Sequence, residues 1–192
     1  MGHLSQKLQQ KSRKLSKELT KLGSSFILLG IGLILLTYGA INYYRVRILS
    51  FKAVPQTQNQ TQGEMPVQIT IPSIEVDMPV ERGEIKNGVW SISYDKPTFL
   101  GSSARPGGSG NTVIYGHNKK AIFGNLPYLS LGQKIYVKTV DGKIHIYEAY
   151  KKEFVAPDRV DLVSPTNTEE LTIYTCWGLF DSQRVVIKAK PL

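Results

Sequence analysis

The stretch LTIYTCWG, residues 171–178, contains the only cysteine of the 192-residue chain. Its residues alternate as they do in a β-strand, which places Leu171 and Ile173 on one face. Tyr174 and Cys176 lie on the opposite face, and a glycine follows shortly after the cysteine. The stretch therefore predicts a β-strand that carries a thiol at its end.

Other short runs between residues 67 and 192 share this richness in Val, Ile, Thr and Tyr. They are VQITI, VDMPV, NTVIY, KIYVKT, KIHIYEAY and RVVIKA. Turn-forming residues separate them, and the Asp141-Gly142 pair favours a tight hairpin. About seven or eight strands at this spacing predict an all-β domain, a closed barrel or a sandwich. A short helix or irregular turn is expected over AIFGNLPYL, residues 121–129, where the alternation stops.

A cation follows the thiol closely in the sequence. Residues 177–183 separate Cys176 from Arg184, which begins the run RVVIKA. If the two runs pair as a hairpin, thiol and guanidinium lie at one rim of the sheet. Taken singly, a cysteine is more often a small buried apolar residue and an arginine more often a surface charge.

A histidine supplies the third group. His117 follows the strand NTVIY and Gly116, whose missing side chain lets another part of the chain approach closely. A thiol is nucleophilic as thiolate, so it needs a partner that exchanges protons near neutral pH, as histidine does. Acyl transfer also builds negative charge on a carbonyl oxygen, which a fixed cation such as Arg184 can stabilise. His145 is expected on a solvated strand face.

The combination of NTVIYGHN, LTIYTC and a following arginine resembles the sortases, membrane-anchored cysteine transpeptidases of bacterial surfaces. ITIPSIEVDMPV and FGNLPYLSLGQKIYV also look like segments of that family, so the resemblance covers essentially all of residues 67–192. The resemblance implies a closed sortase-like β-barrel. The short connection to Arg184 is similar to the compact classes D and E.

Carried over to this chain, the resemblance implies Cys176 as nucleophile, His117 as general acid/base and Arg184 as a clamp on the substrate carbonyl. It implies cleavage of an LPXTG-like sorting signal in surface proteins or pilins through a thioester. The acyl group would pass to an amine of a peptidoglycan precursor or a pilin lysine. No cofactor is implied, and the substrate-binding residues stay unknown.

The N-terminal part of the chain differs sharply in composition. Residues 26–44 form 19 positions without a charge, enough for a helix of roughly 28 Å that spans a bilayer. Residues 1–52 contain nine Lys and Arg against one acid, whereas the rest contains 15 bases and 14 acids. The positive charge thus belongs to the anchor, which argues against a nucleic-acid partner. It predicts a cytoplasmic N-terminus in the plasma membrane and a catalytic domain outside.

These patterns divide the chain into four parts: a cytoplasmic basic segment at 1–25, a transmembrane helix at 26–44, an extracellular linker at 45–66 and a catalytic domain at 67–192. A cleaved signal peptide is a less favoured interpretation of residues 26–44.

Two other functions stay open at this stage. One is a non-catalytic, membrane-anchored β-barrel that binds a partner, with Cys176 as a core residue. The other is a different cell-wall cysteine peptidase or transpeptidase, although one such family places its cysteine before its histidine. The Cys and His spacing does not suit zinc. A calcium site in the acidic residues of the loop is less favoured than a solvated loop; these residues are Asp158, Asp161, Glu169 and Glu170.

Overall fold

The structure, a computed structural model, describes residues 25–41, 63–86 and 89–192. The first of these ranges forms one α-helix, α1, with exposed apolar side chains. Of the described helices, none has both the length and the apolar character needed to cross a membrane. The predicted span at 26–44 is therefore not confirmed, and its last three residues lie outside the described ranges. The same holds for nearly all of the predicted segments 1–25 and 45–66.

The region predicted to be the catalytic domain consists mainly of β-strands, and the described residues form eleven of them. Strands β1 to β6 are Pro66–Ile71, Val76–Pro79, Glu81–Gly83, Ile85–Lys86, Val89–Trp90 and Thr98–Leu100. Strands β7 to β11 are Asn111–Tyr115, Lys134–Thr139, Ile144–Val155, Glu170–Trp177 and Gln183–Pro191. Short 3-10 helices cover Pro72–Ile74, Leu126–Tyr128, Val160–Val163 and Leu179–Asp181.

Nine of these strands form one sheet in the order β2-β1-β8-β9-β11-β10-β7-β6-β3. Its two edge strands, β2 and β3, are consecutive in the chain with only Val80 between them. The Val80 amide donates to Val67 O at 2.9 Å, beside one edge, and the Glu81 amide donates to Pro97 O at 2.9 Å, beside the other. The barrel is therefore nearly closed, with its seam bridged by the chain itself.

The prediction of seven or eight strands was too low. Four strands were missed: β3, β4, β5 and β6, each of two or three residues. Such short strands show no period-two alternation, so their sequence carries no strand signal. Strands β4 and β5 pair only with each other.

The predicted local structure is otherwise present. Strands β8 and β9 pair antiparallel around the Asp141-Gly142 turn, as do β10 and β11 around residues 178–182. Residues 120–129 form turns and a 3-10 helix, as expected.

Apolar side chains pack on both faces of the sheet. Leu171 and Ile173 belong to the larger core cluster inside the barrel. Tyr174 and Cys176 belong to a second cluster on the opposite face, with Trp90. The alternation predicted for LTIYTC is therefore correct, and both of its faces are buried.

Candidate active site

Two of the three predicted site residues, Cys176 and Arg184, lie on neighbouring strands, and His117 lies just beyond the end of a third strand. Strands β7 and β10 run parallel with Tyr115 opposite Tyr174, and two residues further along each chain are His117 and Cys176. On the other side of β10, Cys176 is the direct antiparallel partner of Arg184. Neighbouring strands lie about 4.8 Å apart, so the thiol has the histidine backbone on one side and the arginine on the other.

The backbone around Gly116 sets the position of the histidine. A Cβ at Gly116 would lie 2.8 Å from Ile122 Cγ2 and 3.0 Å from the Phe123 ring, so only glycine fits here. The amides of Lys119 and Phe123 donate to the His117 carbonyl at 2.8 Å and 3.3 Å. The close approach expected at Gly116 thus comes from the segment that follows the histidine.

A threonine hydroxyl joins the nucleophile strand to the histidine strand. Thr175 Oγ1 donates to Gly116 O at 2.7 Å, and Thr175 is fully buried. The Gly116 amide donates in turn to Tyr174 O at 3.3 Å. These bonds fix the residues directly before Cys176 against the residue directly before His117.

We expect Thr175→Val to lower the free energy of unfolding by about 1–3 kcal/mol, because the buried Gly116 carbonyl loses its hydroxyl donor while the side-chain volume stays nearly constant. Urea denaturation measures this loss. Thr175→Ser keeps the hydroxyl and loses one methyl group, so it serves as the matched control. Equal stability of the valine variant and the wild type would contradict the structural role of this bond.

The thiol of Cys176 is buried. Its residue is 2% exposed. Burial raises the pKa of Cys176 to about 12, while the Arg184 guanidinium acts in the opposite direction and the Asp181 carboxylate adds a smaller upward effect. This environment favours the neutral thiol, and formation of thiolate needs either a proton acceptor or a change in solvation.

The high pKa gives a direct test with the only thiol in the chain. We expect the rate of alkylation of the folded protein by iodoacetamide to keep rising from pH 9 to pH 11, because the thiolate fraction grows roughly tenfold per pH unit below the pKa. In the urea-unfolded protein, the rate should level off near the ordinary cysteine pKa of about 8.5. A plateau near pH 9 in the folded protein would show that the thiol is not desolvated.

The guanidinium of Arg184 is hydrogen-bonded to backbone carbonyls of the connection between β10 and β11. Its residue is 1% exposed, and Nη1 donates to the carbonyl oxygens of Asp181 and Gln183 at 2.9 Å each. Phe180 and Asp181 adopt left-handed φ angles of 54° and 58°, which non-glycine residues rarely do. This strained turn brings the two carbonyls to the guanidinium and so fixes its place beside the cysteine strand.

The structure also shows aromatic residues that sequence reasoning missed. Trp90 packs edge-on against Tyr115 at 5.5 Å and Tyr174 at 6.4 Å, on the face that carries Cys176. Tyr94 lies edge-on to His117 with ring centroids 6.5 Å apart. Neither Trp90 nor Tyr94 lies in a run with a recognisable pattern, so only the fold brings them to the site.

The second histidine of the predicted domain, His145, lies in a different environment. His145 is partly buried against Gly107, and burial lowers its pKa, so the expectation of a solvated face is wrong. Its neighbours at the start of β9, Ile144 and Ile146, are the exposed residues.

The acidic residues considered for calcium are engaged in several local contacts. Glu170 pairs with Lys188 at 2.5 Å, and Asp161 pairs with Arg159 at 2.8 Å. Glu169 accepts hydrogen bonds from Tyr147 Oη and the Gly107 amide. Across residues 25–41, 63–86 and 89–192, no cluster of three or more His, Cys, Asp or Glu side chains could hold a metal ion.

Comparison with known proteins places this geometry in a family. The model of the sortase domain matches residues 69–192. The chain is 26% identical over 128 residues to sortase A of Bacillus anthracis, covering 65% of this chain and 58% of that relative, so it spans less than two thirds of the relative's length.

Solved structures agree on the fold. A lid mutant of sortase A from Corynebacterium diphtheriae superposes with a TM-score of 0.57 at 27% identity, over 70% of this chain and 74% of that one. The sortase D5 transpeptidase of Clostridium perfringens gives a TM-score of 0.56 at 22% identity, over 72% and 82% of the two chains. With the family model matching most of the chain, and with a nearly closed barrel of the same fold, this protein belongs to the sortase family.

Proposed function

We propose that the protein is a cysteine transpeptidase that cleaves an LPXTG-like sorting signal and joins the freed acyl group to an amine. One observation carries the proposal: Cys176 near the end of β10 is the cross-strand partner of Arg184 on β11, and His117 follows the end of the parallel strand β7 on the other side of β10. A nucleophile flanked by a proton-exchanging group and a fixed cation has all the groups that acyl transfer requires.

The first step forms a thioester. His117 takes the thiol proton, and Cys176 Sγ attacks the carbonyl carbon of the Thr-Gly bond in the signal. The Arg184 guanidinium, which stays charged at any physiological pH, stabilises the negative charge on the carbonyl oxygen. The C–N bond then breaks, and imidazolium returns the proton to the leaving amine. The raised pKa of the Cys176 thiol implies that the thiolate–imidazolium pair is a minor state.

The second step resolves the thioester. An incoming amine attacks the same carbonyl carbon and gives up a proton to His117, and Cys176 leaves as thiolate and takes that proton from the imidazolium. The products are a new amide and the regenerated thiol. The acceptor is an amine of a peptidoglycan precursor or a pilin lysine, and the donors are surface proteins or pilins with the sorting signal.

We place this activity on the outer face of the plasma membrane. Support comes from the sequence: residues 26–44 carry no charge, and six basic residues precede them against one acid. This arrangement favours a cytoplasmic N-terminus and an exported domain.

Product analysis by mass spectrometry tests the proposed reaction. The full-length protein in detergent is incubated with a panel of LPXTG-like peptides and a short glycine peptide as acceptor. We expect a product in which the cleaved peptide is joined to the acceptor, and a protein–peptide thioester when the acceptor is omitted. Protein whose thiol has been alkylated beforehand is the control and should give neither species.

Two outcomes would overturn the proposal. Cleavage without joining, at saturating acceptor, would make the protein a peptidase. Intact peptides throughout, from protein that thermal denaturation shows to be folded, would favour the non-catalytic binding module.

A further inference from the structure

Tyr94 and Lys119 lie outside the site formed by His117, Cys176 and Arg184, next to its histidine. Lys119 Nζ lies 3.1 Å from the centroid of the Tyr94 ring and donates to Tyr94 O at 2.6 Å. The same ring lies edge-on to the His117 imidazole at 6.5 Å. The lysine thus fixes both the backbone and the ring of the residue that packs against the histidine.

The contacts between Lys119 and Tyr94 join two segments that are separate in the sequence. Tyr94 lies between β5 and β6, whereas Lys119 lies two residues after His117. The Tyr94 side chain is 79% exposed, so burial of its ring does not explain its position. A cation over an aromatic face and a hydrogen bond from the same ammonium group are specific, directional contacts.

The two distances share the Tyr94 ring, so the ammonium nitrogen lies within about 10 Å of the imidazole centre. At that range, a positive charge disfavours a second positive charge on the imidazole, and the effect is screened only in part at low salt. The aromatic edge meanwhile restricts the rotation of the imidazole ring.

We propose that Tyr94 and Lys119 form a positioning pair for His117, in which the ring holds the imidazole in orientation and the ammonium favours its neutral form. This inference rests on the proposed role of His117 as the proton acceptor. A neutral imidazole can accept the thiol proton, and the ammonium keeps the resulting imidazolium a minor species, as in the proposed mechanism.

Other charged and titratable groups lie on the elements next to the histidine. They are Cys176 on β10, Arg184 on β11, Asp95 next to Tyr94, and Lys120 on the histidine's own segment. Since each of these contributes to the field at His117, the test removes the Lys119 charge alone and compares it with a lysine elsewhere.

The pKa of His117 is read by NMR in the full-length protein labelled at its three histidines, with His145→Gln and His3→Gln used for assignment. We expect Lys119→Met to raise the pKa of His117 by about 0.3 unit or more at 10 mM salt, because a neighbouring like charge is removed, and the shift to disappear at 1 M salt. Lys119→Arg keeps the charge and should leave the pKa unchanged. Lys138→Met, at an exposed lysine of β8, is the matched control for general charge.

The ring is tested separately with Tyr94→Ala and Tyr94→Phe. We expect the alanine variant to lower kcat for the joining reaction about three- to tenfold with little change in KM, and the phenylalanine variant to retain the wild-type kcat because it keeps the ring. In the Tyr94→Ala background, Lys119→Met should shift the His117 pKa less, since the ammonium is no longer held over the ring.

Two results would overturn the proposal that Tyr94 and Lys119 position His117. One is a His117 pKa that does not respond to Lys119→Met at low salt, or responds equally to Lys138→Met. The other is a kcat of Tyr94→Ala equal to that of Tyr94→Phe. The NMR readout needs no substrate, so it distinguishes failure of the positioning pair from failure of the proposed transpeptidase activity.

Discussion

Replacing Cys176 by alanine is expected to abolish both the thioester and the joined product, with a fall in rate of at least about 10⁴-fold. The chain has no second thiol that could take over, and alanine can neither attack a carbonyl carbon nor leave as an anion. Mass spectrometry of the protein after incubation with an LPXTG-like peptide measures the thioester. Initial rates of product formation measure the fall.

Stability is the control for this variant. Cys176 is 2% exposed and packs with Tyr174 and Val186 in one apolar cluster, so its truncation leaves a small cavity. We expect a modest loss of stability, on the order of 1 kcal/mol, and a fold that thermal denaturation shows to be intact. Product formation by folded Cys176→Ala at a tenth of the wild-type rate would show that Cys176 is not the nucleophile.

Replacing Arg184 by alanine is expected to lower kcat by about 10²–10³-fold, the usual cost of losing one donor to a developing oxyanion. Arg184 is the direct cross-strand partner of Cys176, so its charge lies beside the carbonyl that the thiol attacks. The same charge opposes the rise in the thiol pKa, and its removal should therefore raise the pKa of Cys176 further. Slower alkylation at pH 9 would report this second effect without any substrate.

Arg184→Lys separates charge from geometry. Lysine keeps the positive charge but cannot present the planar fork or the two bonds to the Asp181 and Gln183 carbonyls. We expect alkylation near the wild-type rate and a kcat between those of the wild type and the alanine variant. Because Arg184 is 1% exposed, thermal denaturation must show that each variant is folded. A folded alanine variant with unchanged kcat would rule out the clamp.

Much of this architecture follows from short-range patterns. The alternation in LTIYTC gives the correct faces because a strand buried on both sides still has a period of two. The spacing from Cys176 to Arg184 gives the correct hairpin partner because a short connection leaves few alternatives. Gly116 predicts a close approach because a Cβ there would collide with its surroundings.

The pairing of strands that are distant in the chain could not be predicted from the sequence. Nothing in the runs of residues indicates that β7 pairs parallel with β10, which is what places His117 level with Cys176. The family resemblance implied only that His117 and Cys176 act together. Tyr94 and Lys119 escape prediction for the same reason, since their contacts depend on a loop brought over the sheet from a distant position. The short strands β3 to β6 have too few residues to carry a pattern.

The parallel contact between β7 and β10 also has a consequence for the order of folding. Thr175 and Gly116 are 59 residues apart in sequence, whereas Cys176 and Arg184 close a short hairpin. Closing the longer loop costs more chain entropy, so we expect the hairpin to form before β7 joins it. A half-folded chain then holds the nucleophile and its cation without the proton acceptor. Such a molecule lacks one group of the proposed active site, and the arrival of β7 completes that site.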